Sequence, residues 1–338
     1  MLIISGSEAV ESALKLARQY HVSRNDTARV NFISRQYSYH GNTLGALSAG
    51  YNPPRRAAFE PLLSPAFHHV SPCFYSRDCL PHESEAEYVD RLIAQYDALF
   101  ESLGRHTIAA VIVEPVVGAT LGSVPAAAGY LPRLKALCEA NGALLIFDEV
   151  MCGMGRAGTL HAWQSLGGVA PDLQTIGKGL GAGYQPISGI LIAKGVHDVI
   201  AEASATHAFV SGHTYQGHAI GCAAAVAVQK TIVKDNLLQN VQRMSSLLVG
   251  LLRRETPRLK EVRGLGLFVT VEFANAEENS GPLAAKVAQT CFANGAAVYL
   301  CSAAVDAVLF APPFIITESE IRELVGIFTA SVRQVLEA

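Results

Sequence analysis

The sequence predicts an α/β fold with a mostly parallel central sheet, helices on both of its faces and a smaller C-terminal α+β domain. Short runs rich in Val and Ile recur along the first part of the chain, and each ends in a polar or glycine-rich turn that leads towards a helix. Continuous rather than alternating apolarity is typical of strands that helices cover on both faces. After about residue 255, the predicted strands and helices no longer follow this strand–turn–helix order. We therefore predict a large domain at 1–235 and a small domain at 236–338.

Apolar runs give the predicted strands of the large domain: Met1–Ile4, Val30–Ser34, Ala109–Val113, Ala143–Phe147, Leu173–Ile176 and Ile187–Ala193. Helical periodicity predicts the helices Ala9–Tyr20, Tyr88–Leu103, Leu131–Ala140 and a long stretch, 219–255, that joins the two domains. The small domain is predicted to hold strands at Val262–Phe273 and Ala296–Leu300 and helices at Leu283–Ala293 and Glu318–Leu336. Thr317 and Glu320 are the expected capping box of the last helix.

Composition narrows the class of protein. Half of the 338 residues are hydrophobic, which allows a sizeable core, and the net charge of −3 gives no basic surface for nucleic acid. The apolar start, Met1–Ile4, is too short for a signal peptide, and no run approaches the roughly 20 residues of a membrane span. Seven cysteines without a C-x-x-C pair are expected to be buried, reduced thiols of a cytoplasmic protein. We expect small-molecule partners, and neither nucleic acid nor a membrane.

Polar features stand where apolar runs end. They are Ser5-Gly6-Ser7, Tyr39-His40-Gly41, Glu114, Asp148 and Lys178. Ligands of doubly wound sheets bind outside the carboxyl ends of the strands, so these groups are expected to converge on one crevice. The shared placement carries more weight than any one of the groups alone.

The segment Ser5-Gly6-Ser7-Glu8 opens a predicted helix. Free amides and the positive end of the helix would hold a phosphate there, and Gly6 would let the anion approach closely. Ser5 and Glu8 also fit a plain capping box, which is the simpler interpretation of this segment by itself.

Asp148 and Lys178 each have a functional and a structural interpretation. Asp148 ends a strand buried on both sides, where an ionised carboxylate needs a partner. A pyridinium N–H is one such partner and a structural arginine such as Arg156 is the other. Lys178 lies among glycines at a strand end, with room for a ligand, and a buried amine loses its proton readily enough to form an imine. An ordinary surface lysine in a loop is the alternative.

Taken together, these groups describe one cofactor, pyridoxal 5′-phosphate. Its phosphate would lie at Gly6 and Ser7, its ring would stack on Tyr39, and Lys178 would form the Schiff base. Asp148 would keep the ring nitrogen protonated, which makes the ring an electron sink for the carbanion of an amine substrate. Lys178 would then serve as the base that moves the proton between two carbons.

The chain resembles the class III pyridoxal-phosphate-dependent aminotransferases over nearly its whole length. The segments that carry the resemblance are Ser5–Arg18, Ser38–Thr43, Glu114-Pro115, Phe147–Gly158, Gly177–Tyr184, Gly212–Gln216, Arg263–Leu267 and Ala311–Pro313. The resemblance implies the fold-type I architecture and amino transfer to a keto acid. It also implies a homodimer with active sites shared between the subunits.

Residue roles follow from the resemblance position by position. Gly6 and Ser7 correspond to phosphate-binding residues, and Thr214 to the residue that reaches the phosphate in the neighbouring subunit. Tyr39 and Val150 correspond to the residues on the two faces of the ring.

The remaining roles concern the reacting end of the site. Asp148 corresponds to the partner of the pyridine nitrogen and Lys178 to the Schiff-base lysine, so these two are the predicted catalytic residues. Glu114 is expected close to the ring on the substrate side.

Two local features bear on the substrate. Asp148–Gly153 resembles the amine-pyruvate, or ω-transaminase, branch in having an apolar residue and a cysteine after Val150. Relatives that use α-amino acids or ornithine carry an arginine just before the Pro-Pro pair, whereas this chain has Val308–Ala311 there. We therefore predict an amine or ω-amino acid donor and a keto-acid acceptor such as pyruvate, with an α-amino acid or diamine transaminase as the alternative.

The family's segment before the Ser-Gly-Ser helix is missing from this sequence. Because that segment helps to build the substrate pocket and the dimer, a catalytically impaired, truncated homologue is a further alternative.

Two other classes of site deserve weighing. Gly153–Gly158 fits G-x-G-x-x-G with Asp172 downstream, as in a nicotinamide-dependent dehydrogenase, but no sustained amphipathic helix follows it. His68-His69 and the pair His213 and His218 lack the carboxylate or cysteine ligands that complete a metal site. We predict no metal.

Overall fold

The structure, a computed structural model, describes residues 1–203, 209–274 and 282–337. The chain forms two compact units. The large unit comprises Met1–Pro115, Ala126–Met154 and Trp163–Gln229, and the small unit comprises Val116–Pro125, Gly155–Ala162 and Lys230–Ala338. A division of the functional domains at residue 235 stays a prediction.

In chain order, the strands of the described residues are β1 (Leu2–Ile3), β2 (Asn31–Arg35), β3 (Phe67–Val70), β4 (Ile108–Val113), β5 (Val116–Val117), β6 (Val124–Pro125), β7 (Leu144–Asp148), β8 (Leu173–Ile176), β9 (Ser188–Ile192), β10 (Leu259–Leu265), β11 (Phe268–Phe273), β12 (Tyr299–Leu300) and β13 (Ala307–Phe310). The α-helices are α1 (Gly6–Ser23), α2 (Leu44–Ala49), α3 (Pro53–Arg56), α4 (Tyr75–Asp78), α5 (Glu85–Leu103), α6 (Tyr130–Ala140), α7 (Lys194–Ala203), α8 (Ala219–Lys234), α9 (Leu237–Glu255), α10 (Ala284–Ala293) and α11 (Glu318–Glu337).

The large unit is built on a sheet with strand order β1-β9-β8-β7-β4-β2-β3. The pairs from β3 through β2, β4 and β7 to β8 are parallel, and β9 is antiparallel to both β8 and β1. The central strands β4 and β7 are buried along their whole length, as their continuous apolar sequences predict. The predicted, mostly parallel sheet is therefore confirmed.

Helices cover both faces of this sheet because successive side chains of a strand point to opposite faces. On one face, Val111 and Leu145 pack with buried residues of α5 and α6. On the other face, Ile112 and Ile146 pack against α1, whose Val10 is fully buried. The alternation along β4 and β7 thus gives the sheet two apolar faces and aims the strand ends, rather than the faces, at solvent.

The small unit contains an antiparallel sheet with strand order β10-β11-β13-β12, and α9, α10 and α11 contribute to its core. The two-stranded ribbon of β5 and β6 also belongs to this unit. Buried Arg263 donates to the carbonyls of Leu121 and Gly122 and pairs with Glu272, which holds the ribbon's turn. The predicted capping box of Thr317 and Glu320 is present at the start of α11.

Two predicted elements are divided in the structure. The helical stretch 219–255 breaks between α8 and α9, where Asn236 adopts a left-handed conformation with φ of +51°. Asparagine tolerates this conformation better than most residues. The predicted strand Val262–Phe273 is a hairpin, because Gly266 turns the chain between β10 and β11 with φ of +58°.

None of the seven cysteines, all within the described residues, forms a disulfide, and five of them are buried. Over the part of the chain that the structure describes, we find no helix with the length and apolarity that crossing a bilayer requires.

Candidate functional site

The polar groups singled out in the sequence lie at one edge of the large sheet. Because β1, β2, β4, β7 and β8 run in the same direction, their carboxyl ends meet at this edge. The groups that follow these ends are Ser5–Ser7, Tyr39–Gly41, Glu114, Asp148 and Lys178. Ser188 Oγ at the start of β9 donates to the Ser5 carbonyl over 2.7 Å, which fixes the first of these groups to the sheet.

Asp148, the last residue of β7, is 5% exposed. Its Oδ1 accepts hydrogen bonds from Thr175 Oγ1 (3.0 Å) and from the Val150 amide (3.1 Å). Its Oδ2 accepts one hydrogen bond, from His40 Nδ1 (2.8 Å). A carboxylate oxygen offers about two acceptor sites, so this set leaves one on Oδ2.

Asp148 and Arg156, the arginine weighed as its structural partner, each have hydrogen-bond partners within their own unit. Within the small unit, Arg156 Nη1 donates to the carbonyls of Leu267 and Pro312. Burial lowers the pKa of this guanidinium to about 10. The guanidinium also makes a cation–π contact with the Phe314 ring. The donors to Asp148 are His40, Thr175 and the Val150 amide, all of the large unit.

His40 is a site residue to which the sequence analysis gave no role. Its side chain is fully buried, and its Nε2 has no hydrogen-bond partner among the described residues. His40 and Asp148 are 108 positions apart. The sequence did contain a signal for His40, because it lies between Tyr39 and Gly41 in the polar segment that follows the same predicted strand.

The first turn of α1 forms the second part of the site. The Glu8 amide donates to Ser5 Oγ and the Ser5 amide to the Glu8 carboxylate, so the capping box is present. This box does not use the amides of Gly6 and Ser7, which precede Glu8 in the turn. The capping and anion-binding interpretations are therefore compatible.

A close approach of two backbone segments shapes this turn. Gly41 has φ of +137°, and a Cβ atom there would lie 2.8 Å from both Cα and Oγ of Ser7. The Asn42 amide donates to Ser7 Oγ over 2.9 Å, which leaves the hydroxyl proton of Ser7 to donate elsewhere. Only glycine at position 41 allows these contacts.

Val150 connects the first turn of α1 with the end of β8. A Cβ atom on Gly6 would lie 2.6 Å from Val150 Cγ1, and one on Gly177 would lie 3.3 Å from the same atom. The residues next to Gly6 and Gly177, Ser7 and Lys178, are thereby brought to the same side of the site.

Tyr39 and Glu114 meet on the opposite flank of Asp148. The Tyr39 amide donates to Glu114 Oε1 over 3.2 Å, and the Glu114 carbonyl accepts from the buried guanidinium of Arg35. The Arg55 guanidinium carbon lies 4.9 Å from the centre of the Tyr39 ring, which is within cation–π range.

Lys178 directly follows Gly177 at the end of β8 and begins a short 3-10 turn. Its φ is +39°, a left-handed conformation that is unusual for a lysine. The side chain is exposed, so the expectation of a buried amine is wrong for this chain by itself. Within the described residues, the structure gives Nζ no hydrogen bond or ion pair.

Thr214 lies in an exposed turn. The turn is tied to α1 by His213, whose ring contacts Ser12 Oγ (3.3 Å) and the Glu8 carboxylate (3.4 Å). The structure thus brings Gly6, Ser7, Tyr39, Glu114, Asp148, Val150 and Lys178 to one sheet edge, and leaves Thr214 on the surface.

The weighed alternatives gain no support from the geometry. Gly153–Gly158 lies in turns rather than at the start of a helix, so the setting of a dinucleotide-binding motif is not there. His68 contacts Asn31 and His69 contacts the Ala49 carbonyl. Within 1–203, 209–274 and 282–337, no three His, Cys, Asp or Glu side chains are grouped to hold a metal ion.

The chain is similar to proteins of one family. The sequence model of that family, described as aminotransferase class-III, matches residues 1–332. An aminotransferase of Gibberella zeae is 45% identical over 287 residues, which cover 83% of this chain and 56% of that protein. The mitochondrial gamma aminobutyrate transaminase 1 of Solanum lycopersicum is 34% identical over 342 residues, which cover 98% of this chain and 65% of that protein.

A solved structure adds the same likeness in three dimensions. The thermostable (S)-enantioselective omega-transaminase of Thermomicrobium roseum superposes with a TM-score of 0.92 at 34% identity. The superposition covers 99% of this chain and 75% of that one. The chain thus spans between about half and three quarters of the length of the proteins that it matches.

Proposed function

This chain belongs to the class-III aminotransferase family, and from that premise we propose that it is a pyridoxal-phosphate-dependent transaminase. The proposed reaction moves an amino group from an amine or ω-amino acid donor to a keto acid such as pyruvate. One observation carries the proposal. The buried, hydrogen-bonded carboxylate of Asp148 and the amine of Lys178 lie at the ends of two neighbouring parallel strands, β7 and β8, which pair at Asp148 and Thr175.

The residues of the large unit fit pyridoxal 5′-phosphate. The remaining acceptor site on Asp148 Oδ2 suits a ring N–H, because the three donors already on this carboxylate leave only that site open. Gly6 has no side chain beside Val150, and the first turn of α1 presents amides and the Ser7 hydroxyl to an anion. The phosphate-binding roles of Gly6 and Ser7 are part of the proposal.

The side chains supply binding and proton transfer, and the cofactor supplies the electronics. When bound, pyridoxal phosphate acts as an electron sink for the pair left when the substrate loses its α-proton. Asp148 would hold a proton at the ring nitrogen through Oδ2. Lys178 Nζ would bind the aldehyde carbon and would take up and return the substrate's α-proton. Tyr39 and Val150 would pack on the two ring faces, and Glu114 would lie on the substrate side.

Substrate choice is supported by the relatives and by one local sequence. A gamma aminobutyrate transaminase and an omega-transaminase are both similar to this chain. The segment Val308–Ala311, just before Pro312, carries no arginine for a substrate carboxylate. Both observations favour a donor whose amine stands away from an α-carboxylate, with an α-amino acid or diamine transaminase as the second candidate.

We further propose that two copies of the chain form a homodimer in which Thr214 reaches the cofactor phosphate of the partner. Large apolar side chains on the same part of the large unit are exposed: Tyr184 (78%), Tyr215 (59%), Ile220 (62%) and Val226 (52%). Exposed apolar surface of this kind marks interaction sites. Cysteines that form no disulfide fit a cytoplasmic location, where thiols stay reduced.

A half-reaction screen tests the proposed function. The protein loaded with pyridoxal phosphate is mixed with a plain amine, an ω-amino acid or an α-amino acid, and loss of the visible cofactor band is followed. We expect the first two donors to bleach the band and pyruvate to restore it. Bleaching by α-amino acids alone would refute the proposed donor class. A protein that takes up no cofactor would refute the proposed function.

Mixing two variants tests the shared site. Lys178→Ala removes the amine of one chain, and Thr214→Ala weakens the phosphate site of the other. If Thr214 acts across the interface, a mixed dimer contains one intact site and activity returns on mixing. If Thr214 serves its own chain, every site keeps one defect and mixing restores nothing.

A further inference from the structure

Beside Asp148 lies a buried polar group that the proposed mechanism does not use. His40 Nδ1 is 2.8 Å from Asp148 Oδ2, and the His40 side chain has no exposed surface. Its second nitrogen, Nε2, is buried and makes no hydrogen bond within the residues that the structure describes. Burying a polar nitrogen without a hydrogen bond costs free energy, so we expect the contact with Asp148 to have a role that offsets this cost.

We propose that His40 is a positioning residue, which orients Asp148 and keeps the shared proton on the cofactor's ring nitrogen rather than on the carboxylate. This inference rests on the proposed function, since it needs a pyridine ring opposite Asp148. His40 touches neither the ring nor the substrate in this account, and it acts only through Asp148.

Three hydrogen-bond donors fix the orientation of the Asp148 carboxylate. Thr175 and Val150 occupy both acceptor sites of Oδ1, and His40 occupies one of the two on Oδ2. These three contacts prevent rotation of the carboxylate and leave a single acceptor site. A ring N–H must then bind to the same oxygen that His40 binds.

The same hydrogen bonds favour a proton on the ring nitrogen. An ionised carboxylate has no proton to give, so Nδ1 of His40 is the donor and Nε2 is not protonated in the neutral ring. Each donor stabilises negative charge on the carboxylate oxygen that it binds. Loss of His40 would move the proton from the pyridine nitrogen towards Oδ2, which weakens the electron sink.

The backbone around His40 is held on both sides. The Tyr39 amide binds Glu114, Gly41 packs on Ser7, and the Asn42 amide binds Ser7 Oγ. The segment 39–42 thus spans the distance between the ring-nitrogen partner and the first turn of α1. The backbone that carries His40 is thus fixed on both sides of the residue, which suits a positioning role.

Three variants separate this role from a packing role. His40→Leu removes the donor, and His40→Asn places an amide nitrogen near the position of Nδ1 and retains it. His21→Leu is the matched control, because His21 is another buried histidine of the large unit with a 2.8 Å contact, to the Ala109 carbonyl. If His40→Leu does not fold, His40→Gln replaces it, since the longer chain moves the amide away from Nδ1.

The readout is cofactor affinity, measured for pyridoxal phosphate and for its 1-deaza analogue, in which a carbon replaces the ring nitrogen. With pyridoxal phosphate, we expect His40→Leu to raise Kd roughly tenfold or more, as for loss of a hydrogen bond to a charged group. With the deaza analogue, we expect wild type and His40→Leu to differ by less than about twofold. His40→Asn should restore most of the affinity, and His21→Leu should leave the ratio of the two Kd values unchanged.

A second readout locates the proton directly. With ¹⁵N at the ring nitrogen, the bound cofactor should give the chemical shift of a protonated ring in wild type and in His40→Asn. In His40→Leu the shift should move towards that of a neutral pyridine.

Several outcomes would overturn the inference. An equal loss of affinity for both cofactors would show that His40 only packs, and an unchanged Kd or ¹⁵N shift in His40→Leu would show that it does not act through Asp148. Failure of the wild-type protein to bind pyridoxal phosphate would refute the proposed function instead, so the two failures are distinguishable.

Discussion

The two ends of the candidate site differ sharply although they come from neighbouring parallel strands. Asp148 at the end of β7 is buried and accepts three hydrogen bonds. Lys178 after the end of β8 is exposed, has a φ of +39° and has no described partner. The large unit by itself builds the carboxylate end completely. The amine end is exposed and has a left-handed backbone conformation.

This difference agrees with the chemistry proposed for each end. A carboxylate that holds charge works best when its donors are fixed in advance, so that nothing reorganises during the reaction. An amine that bonds to a cofactor needs access and freedom to move. Strained backbone of the kind found at Lys178 costs about 1–3 kcal/mol and is concentrated at functional sites.

The largest effect is expected for Lys178→Ala, which tests the open end. Transaminase turnover should fall by at least about a thousandfold, because both the bond to the cofactor and the proton transfer depend on Nζ. Folding stability should be unchanged, and Lys178→Gly should be more stable than Lys178→Ala by about 1 kcal/mol, because glycine accepts the positive φ. Steady-state rates and chemical unfolding check both statements.

Lys194→Ala serves as the control for this change, since Lys194 is another exposed lysine of the large unit. A Lys178→Ala protein that unfolds much more easily than wild type would show that the amine end is structural.

Unlike Lys178→Ala, Asp148→Ala is expected to destabilise the folded protein. It leaves the donors of His40, Thr175 and Val150 without their acceptor, and each unpaired buried group costs about 1–3 kcal/mol. We expect the cofactor-free protein to lose about 3 kcal/mol of unfolding free energy, measured by urea denaturation. Asp148→Asn keeps the shape and should lose less. Wild-type stability in Asp148→Ala would contradict the idea of a prebuilt end.

Two histidines of the large unit, His69 and His21, should make its stability sensitive to acid. Burial and the nearby charge of Arg56 lower the pKa of His69 to about 4, and burial lowers that of His21 to about 4. Both lie below the ordinary value of 6.5, so the unfolded chain binds more protons between pH 6.5 and 4. The stabilisation is therefore complete above pH 6.5 and is lost as the pH falls towards 4.

Unfolding free energies at pH 7 and pH 4.5 measure this loss. We expect a decrease of about 1–2 kcal/mol for each histidine, a smaller decrease in His69→Gln, and no change in the pH dependence for Lys178→Ala. Stability that rises on acidification would contradict the assignment of neutral, buried histidines.

The smallest effect is expected at the rim of the site. Arg55→Ala removes a cation–π contact with Tyr39, which is worth about 0.5–1 kcal/mol at an exposed position. Cofactor affinity should therefore fall by about two- to fivefold, as measured by titration of the visible band. Arg24→Ala, which removes a similar contact with Tyr20 away from the site, should have no such effect. A hundredfold loss in Arg55→Ala would mean that the rim, rather than the buried end, dominates binding.

Much of this arrangement could be predicted from the sequence because it depends on local patterns. Continuous apolar runs mark β4, β7 and β8, and a parallel sheet necessarily aligns their carboxyl ends. The placement of Glu114, Asp148 and Lys178 at one edge followed from those runs. β3, by contrast, is mostly half-buried along its length, so Phe67–Val70 gave no clear signal.

Features that depend on distant pairing could not be predicted. The contact of His40 with Asp148 depends on how the loop after β2 folds over β7, and no local pattern encodes it. In the small unit, the hold of Arg263 on the Gly122 carbonyl joins residues 141 positions apart. Breaks such as the one at Asn236 are local but depend on a single residue, and a window of helical periodicity averages over them.

The central claim is that Lys178 and Asp148 bind opposite ends of one pyridine ring, and reductive labelling tests it most directly. Wild-type protein loaded with pyridoxal phosphate is treated with borohydride, digested, and mapped by mass spectrometry. The account predicts that the phosphopyridoxyl group is found on Lys178, and that Asp148→Ala lowers the yield of label at a limiting cofactor concentration. Label on another lysine, or a yield that does not depend on Asp148, would contradict it.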